Sequence, residues 1–526
     1  MTPYIPTIEQ KCKGAFIAAA IGDALGWPNE CPKKTIGVRE KVSTHFTEWV
    51  RKGSRPDYYS EKIMAGEYSD DTQLTLAVAR SIITGNWEFF FMKRELPFWL
   101  YYERGGGRAV LRAARFYAET DNYKLWESKY KKDYFNAGGN GAAMRIAPHV
   151  IENSLCQNLS KLMLDVFKNT MITHGHPRAF LGAMCYAYAL DYLLRKTSSL
   201  KMGELIQAVV DGKNDWSSLS AFNVFDQWME TASKDGGYNF QHEWEITCNR
   251  MIIHLTVLQK ELKKAPLLDD NEILRKLDCF GKAKGAGDVS ILAALYLASK
   301  YASNSILGIK VPAFSYGADT DTIASMTGGL LGMLNGIDWL PPEWLQLQDY
   351  TCLSHIVDLL LAENRKELVK EETLTLEQNE DGWQTTLIGK MKRINLQGFL
   401  EQNQNTTTIS KWKTTLGQTL YRRDSGYHSS ASQPAVVLQQ VSTSSAMNIQ
   451  ETPAPPPSYA NEPLFSLSKE DIVALLTDPV FNKKTTCGKL LEAVYLILEN
   501  KLSSSDIAKK LRWNESMIDR LKHHIK

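Results

Sequence analysis

Two short acidic blocks carry the strongest chemical signal in the chain. Ser69-Asp70-Asp71-Thr72 stands immediately before the helix-period run QLTLAVARSI, and Gly317-Ala318-Asp319-Thr320-Asp321-Thr322 stands immediately before IASMTGGLLGML. Taken singly, each block reads as an N-cap, because Ser, Thr and Asp accept hydrogen bonds from the free amides of a helix's first turn. Taken together, they put two carboxylates and a hydroxyl at each of two helix starts, more than capping requires. If the blocks meet in space, four carboxylates repel one another and lose hydration unless a cation neutralises them. Oxygen donors without His or Cys point to Mg²⁺ or Mn²⁺, and two ions suit this number of carboxylates better than one.

Four further segments are weaker signals. Gly138-Gly139-Asn140-Gly141-Ala142-Ala143-Met144-Arg145 would let a ligand approach backbone amides, or would simply turn the chain. Gly105-Gly106-Gly107-Arg108 offers an arginine to a phosphate or to a surface carboxylate. In Thr173-His174-Gly175-His176-Pro177 the imidazoles read first as turn-and-cap residues and second as ligand-lining ones, since no zinc-ligand set accompanies them. Glu30 closes GDALGWPNE, and by composition alone it is a solvated loop residue.

The elements that must position these residues are helices. From about residue 8 to 365 the apolar residues recur at helical spacing, and the Val, Ile and Thr alternation of a sheet is nearly absent. The run GAFIAAAIG is small or apolar on every face, which predicts a helix at the centre of a compact all-α, multi-helix core. Residues 366–422 form an extension whose DGWQTTLIG and KWKTTLGQTLYRR segments suggest a small hairpin. Residues 423–465, rich in Ser, Gln, Thr and Pro, read as a flexible linker.

Residues 466–526 read as a small helical unit of helix-turn-helix outline: a helix over Cys487–Asn500, a second capped by Ser503-Ser504-Ser505-Asp506, a turn at Arg512-Trp513-Asn514, then ESMIDRLKHHI. Glu515 and Asp519 would face phosphate in a DNA complex, so a protein partner is favoured over DNA.

Composition narrows the class. The 526 residues are 44% hydrophobic, enough for a sizeable core, and 61 basic against 59 acidic side chains give a net charge of +2, which provides no global attraction to a polyanion. The eight cysteines are spread singly and read as reduced thiols in a cytoplasmic protein. The amino terminus lacks the pattern of a signal peptide, and Asp23 or Asp338 interrupts the longest apolar stretches, so no membrane span is expected.

In order along the chain, GDALGWPNE, SDDTQLTLAVA, GGNGAAMRIAPH with THGHPRA, and YGADTDTIASMTGGLLGMLNG resemble the ADP-ribosylglycohydrolase family over about residues 8–365. The resemblance implies an all-α core with two Mg²⁺ or Mn²⁺ ions at the bottom of an ADP-ribose cleft. Ser69, Asp70, Asp71, Asp319, Asp321 and Thr322 match the family's metal ligands. Gly138, Gly139, Asn140, Gly141, His174 and Gly317 match stretches that line the substrate, and Glu30, with Asp71, falls at catalytic positions. The activity implied is hydrolysis at the ribose anomeric carbon, releasing ADP-ribose from a modified protein, nucleic acid or small molecule. The alternative is a non-catalytic ADP-ribose-binding or adaptor protein with a carboxyl-terminal interaction module.

Overall fold

A computed structural model of the protein describes residues 5–30, 37–38, 45–52, 60–219, 225–263, 268–398 and 407–425, and in the carboxyl-terminal part residues 493, 496–497, 503–511, 518–519 and 522. Helices dominate the described part of the first unit, Met1–Gln439. The chain has the expected all-α core.

Its centre is a pair of helices in direct backbone contact, Ile8–Gly26 and Thr320–Asn335. A capping box, in which Thr7 and Gln10 exchange side-chain and backbone bonds, starts the first helix. Glycines let the two axes close: a Cβ on Gly332 would lie 2.0 Å from the Gly14 carbonyl oxygen, and one on Gly22 would lie 2.2 Å from that of Ala324. Because Gly14 meets Gly332 and Gly26 meets Thr320, the helices run antiparallel. The end of the first therefore adjoins the start of the second, where Thr320 Oγ1 donates to the Gly26 carbonyl at 2.9 Å.

Around this pair lie the helices Asp70–Thr84, Pro177–Arg195 and Gly287–Lys300, each almost wholly buried. The last two also meet at a glycine, since a Cβ on Gly182 would lie 2.4 Å from the Gly287 backbone. Strand content within the helical core is small. β1 (Gly37–Val38) would be trivial without its antiparallel partner β4 (Ser315–Tyr316), and β2 (Trp49–Lys52) pairs with β3 (Ser60–Ile63).

After the helix Arg365–Asn379 the chain forms an antiparallel meander, β5 (Trp383–Thr386), β6 (Gly389–Gly398), β7 (Thr407–Thr414) and β8 (Thr419–Ser425). Where the sequence suggests a small hairpin, the structure has four strands: β5 and most of β8 fall within the two segments that signalled it, whereas β6, which has no threonine or aromatic residue, carries no such alternation. Ile388, Met391, Trp412 and Leu420 of this sheet belong to the same apolar core as the helices. Residues 423–425, expected to open the linker, complete β8; the rest of the 423–465 stretch lies outside the described residues.

The second unit is Gln440–Lys526. Its described helix Ser504–Leu511 is capped by Ser503, whose Oγ accepts from the Asp506 amide at 3.2 Å. Ile507, Ala508 and Leu511 cluster with Ala493, Leu496, Ile497 and Ile518. The expected turn at 512–514 and most of the expected helices over 487–500 and 515–525 lie outside the described residues. Among the described residues no helix is long and apolar enough to cross a membrane.

Candidate functional site

The site is assembled where three helix ends converge. Asp23, a fully buried residue of the helix Ile8–Gly26, reaches across to the start of the helix Asp70–Thr84. Its carboxylate accepts from the Ser69 amide at 3.0 Å, the Thr72 amide at 3.0 Å and the Thr72 hydroxyl at 2.6 Å. One helix thus caps another, which frees the side chains of Asp70 and Asp71 from capping duty.

The two acidic blocks meet. Thr322 Oγ1 lies 3.4 Å from Asp71 Oδ1, and Asp321 Oδ1 accepts the Thr322 amide at 2.8 Å. Glu30, Asp319 and Asp321 offer carboxylate oxygens all within 4.8 Å of one another. Glu30 stands at the rim, open to solvent, whereas Asp70, Asp71 and Asp321 are buried. The antiparallel helix pair explains this grouping, since Glu30 follows the end of one helix and Asp319 occupies the N-cap position of the other without a side-chain capping bond.

Electrostatics confirm the crowding. Burial first, and then Asp23, Glu103 and Glu30, raise the Asp70 carboxyl well above its usual range. Burial, Asp23, Asp70 and Asp319 do the same to Asp71, and burial, Glu30, Asp319 and Asp71 to Asp321. Glu30 keeps exposed surface at the rim while protein crowds the rest of its side chain, and this partial desolvation first, then the neighbouring Asp319, push its carboxyl up to about 7. Like charges held this close call for a counter-charge. Asp71 Oδ2 is buried without a hydrogen-bond partner among the described residues, an orphaned acceptor at the centre of an all-oxygen donor set. Such a set fits a hard divalent cation.

The glycine-rich block lies against the same cluster. Gly139 bridges Ala286, Gly287 N donates to the Gly138 carbonyl at 3.1 Å, and Asn140 N donates to that of Gly285 at 3.0 Å. Asn140 Nδ2 then bonds Asp319 Oδ2 and Ser290 Oγ, each at 2.9 Å. Gly141 and Gly139 pack on the His174 ring, whose Nδ1 is 2.7 Å from Thr173 Oγ1. Burial, with Arg145 and Arg112 beyond, lowers His174 to about 3, so the ring is neutral. His176 caps the helix Pro177–Arg195 by accepting the Arg178 amide at 3.3 Å. Gly317 takes φ +93°, the turn that delivers Asp319 to its position.

Two residues near the site are not evident from spacing. Asp23 is the sole charge in residues 14–26, a signal that a buried partner awaits it. Gly105, with φ +103°, lies against Asp70: a Cβ there would be 2.8 Å from Asp70 Oδ1. Of the triple glycine, Gly105 thus permits close approach to a carboxylate, while Gly106 packs on Trp99.

A cluster of carboxylates on converging helix starts, beside a glycine-rich segment, defines a class of all-α protein with an all-oxygen donor group that could hold a cation. Comparison with known proteins gives the particular family: its profile, described as ADP-ribosylglycohydrolase, matches residues 5–370. The chain belongs to the ADP-ribosylglycohydrolase family. It is 22% identical to the ADP-ribosyl-(dinitrogen reductase) glycohydrolase of Rhodospirillum rubrum, over 68% of this chain and 97% of that one. It is 25% identical to the ADP-ribosylhydrolase ARH3 of Homo sapiens, over 64% of this chain and 88% of that one. Against the ADP-ribosylarginine hydrolase Tri1 of Serratia proteamaculans the identity is 27%, over 38% of this chain and 51% of that protein.

Proposed function

We propose that the protein is a divalent-cation-dependent hydrolase that releases ADP-ribose from an ADP-ribosylated protein, nucleic acid or small molecule. The observation that carries this reading is the contact of Asp71 with Thr322, which joins the two acidic helix starts around an unpartnered Asp71 oxygen. Family membership supports the reaction class.

Ser69, Asp70, Asp71, Asp319, Asp321 and Thr322 are the residues that would hold Mg²⁺ or Mn²⁺, which, when bound, neutralises the carboxylates and orients the ribose hydroxyls. Glu30, at the rim beside Asp319 and Asp321, has the position of a general acid/base. It would take a proton from the attacking water as the new bond to the anomeric carbon forms. The bond to the leaving atom breaks through an oxocarbenium-like state, and that atom receives the proton. Gly138, Gly139, Asn140, Gly141, His174 and Gly317 would shape the wall against which the rest of the substrate lies.

The test is incubation with ADP-ribosylated arginine, serine and nucleic-acid substrates, with Mg²⁺ present or chelated, and detection of free ADP-ribose. Release in at least one lane, abolished by chelation, is expected. Binding of ADP-ribose with no release in any lane would make the protein a binder, and release indifferent to chelation would remove the cation from the scheme.

A further inference from the structure

The family match ends at residue 370, yet the sheet that follows reaches back into the loops flanking the site. From β8, Arg423 pairs with the Glu103 carboxylate at 2.7 Å and also bonds the Glu103 carbonyl, while its amide donates to the Tyr101 carbonyl at 2.9 Å. Glu103 Oε2 in turn accepts the Gly106 amide at 3.1 Å, which sets the turn that lays Gly105 on Asp70. Against burial, which raises it, Arg423 and Arg51 hold the Glu103 carboxyl below its usual range, so the turn is shaped by a charged acceptor.

A second line runs to the segment before Ser69. The Tyr421 hydroxyl bonds Glu67, and Arg104 lies 3.8 Å from the Tyr421 ring centroid while pairing with Glu67 at 2.9 Å and Glu61 at 2.6 Å. Asp349 Oδ2 accepts both the Thr419 amide at 2.8 Å and the Tyr68 hydroxyl at 2.7 Å. Gln418 bonds Arg80 on the helix that Ser69 caps. The sheet therefore touches both neighbours of the acidic block, Glu67-Tyr68 before it and Glu103–Gly106 over it.

We propose that Arg423 and Tyr421 are positioning residues for the site, acting through Glu103 and Glu67 on the loops that set Asp70 and Ser69. The proposal rests on the hydrolase reading and extends it. The catalytic unit then runs to Ser425, and a core ending at residue 365 would lack these supports: Glu67 would lose the Tyr421 hydroxyl, Arg80 the Gln418 side chain and Arg104 the Tyr421 ring, each keeping its ion-pair partner.

The experiment compares Arg423→Gln, Arg423→Lys and, as a control on the same sheet, Lys392→Gln, whose partner is Glu380 at 3.3 Å. Full-length proteins are assayed for kcat and KM on the substrate that the wild type hydrolyses, for Mn²⁺ affinity, and for melting temperature. Loss of alignment costs rate more than binding, so Arg423→Gln should lower kcat by about tenfold or more with KM within about threefold, and weaken Mn²⁺ binding by about tenfold. Arg423→Lys should recover most of both losses, and Lys392→Gln should match wild type. Wild-type kcat and Mn²⁺ affinity in Arg423→Gln would overturn the proposal, as would equal losses in Lys392→Gln. A wild type that binds Mn²⁺ but hydrolyses nothing ends the hydrolase reading alone, and the Mn²⁺ affinities then decide the positioning role. A wild type that does neither ends both.

Discussion

Asp71 and Thr322 meet across 251 positions of sequence, and their different chemistry grades what each substitution should do. Asp71→Asn or Asp319→Asn keeps shape but removes a negative charge from the oxygen set, so turnover should fall by at least about 100-fold while the far-ultraviolet circular dichroism stays that of the wild type. Thr322→Val removes a neutral donor and should cost less. Full activity in either folded Asn variant would contradict the cation site. Glu30 poses a separate question because it stands at the rim. Glu30→Gln should slow turnover by about 100- to 10,000-fold, the usual share of a general acid/base, with ADP-ribose affinity nearly unchanged. A loss of only a few-fold would move the proton-transfer role elsewhere.

At the scale of elements, the site depends on how closely two helices approach. The Gly14–Gly332 crossing leaves no room for a side chain, since a Cβ on Gly332 meets a backbone carbonyl that cannot swing away. Gly332→Ala should therefore destabilise the protein by about 1–3 kcal/mol through overpacking, read as a lower midpoint in denaturant unfolding. A midpoint unchanged from wild type would show that the helices can separate freely. Asp23 ties a third helix to this pair through both ends of its carboxylate, so shape and site are linked at the level of helix ends.

Across the whole molecule, the chain divides into Met1–Gln439 and Gln440–Lys526, and the sheet belongs with the helical core. A chain ending at Ser425 should hydrolyse a small ADP-ribosyl substrate at a rate within about threefold of the full-length protein, since it retains Arg423 and all of β8. A cut after residue 422, where composition suggests the linker begins, would instead remove Arg423. Folding of the Ser425-terminated protein with loss of hydrolysis, measured by released ADP-ribose, would show that residues beyond Ser425 are needed for the reaction.

Sequence by itself determined the helical core, because periodic apolar residues and small-residue runs are local features that only a buried helix accommodates. It also marked the two acidic blocks, since two carboxylates at one helix start exceed what a cap can use, whereas the glycine-rich block read at least as well as a plain turn. Tertiary structure alone decided that Glu30 stands beside Asp319 and Asp321, because that proximity follows from the antiparallel sense of two helices far apart in the chain. It decided as well that Gly105 serves Asp70 and that Arg423 belongs to the core. Spacing records which neighbours a residue has along the chain, whereas a buried charge is defined by the partners that folding brings to it.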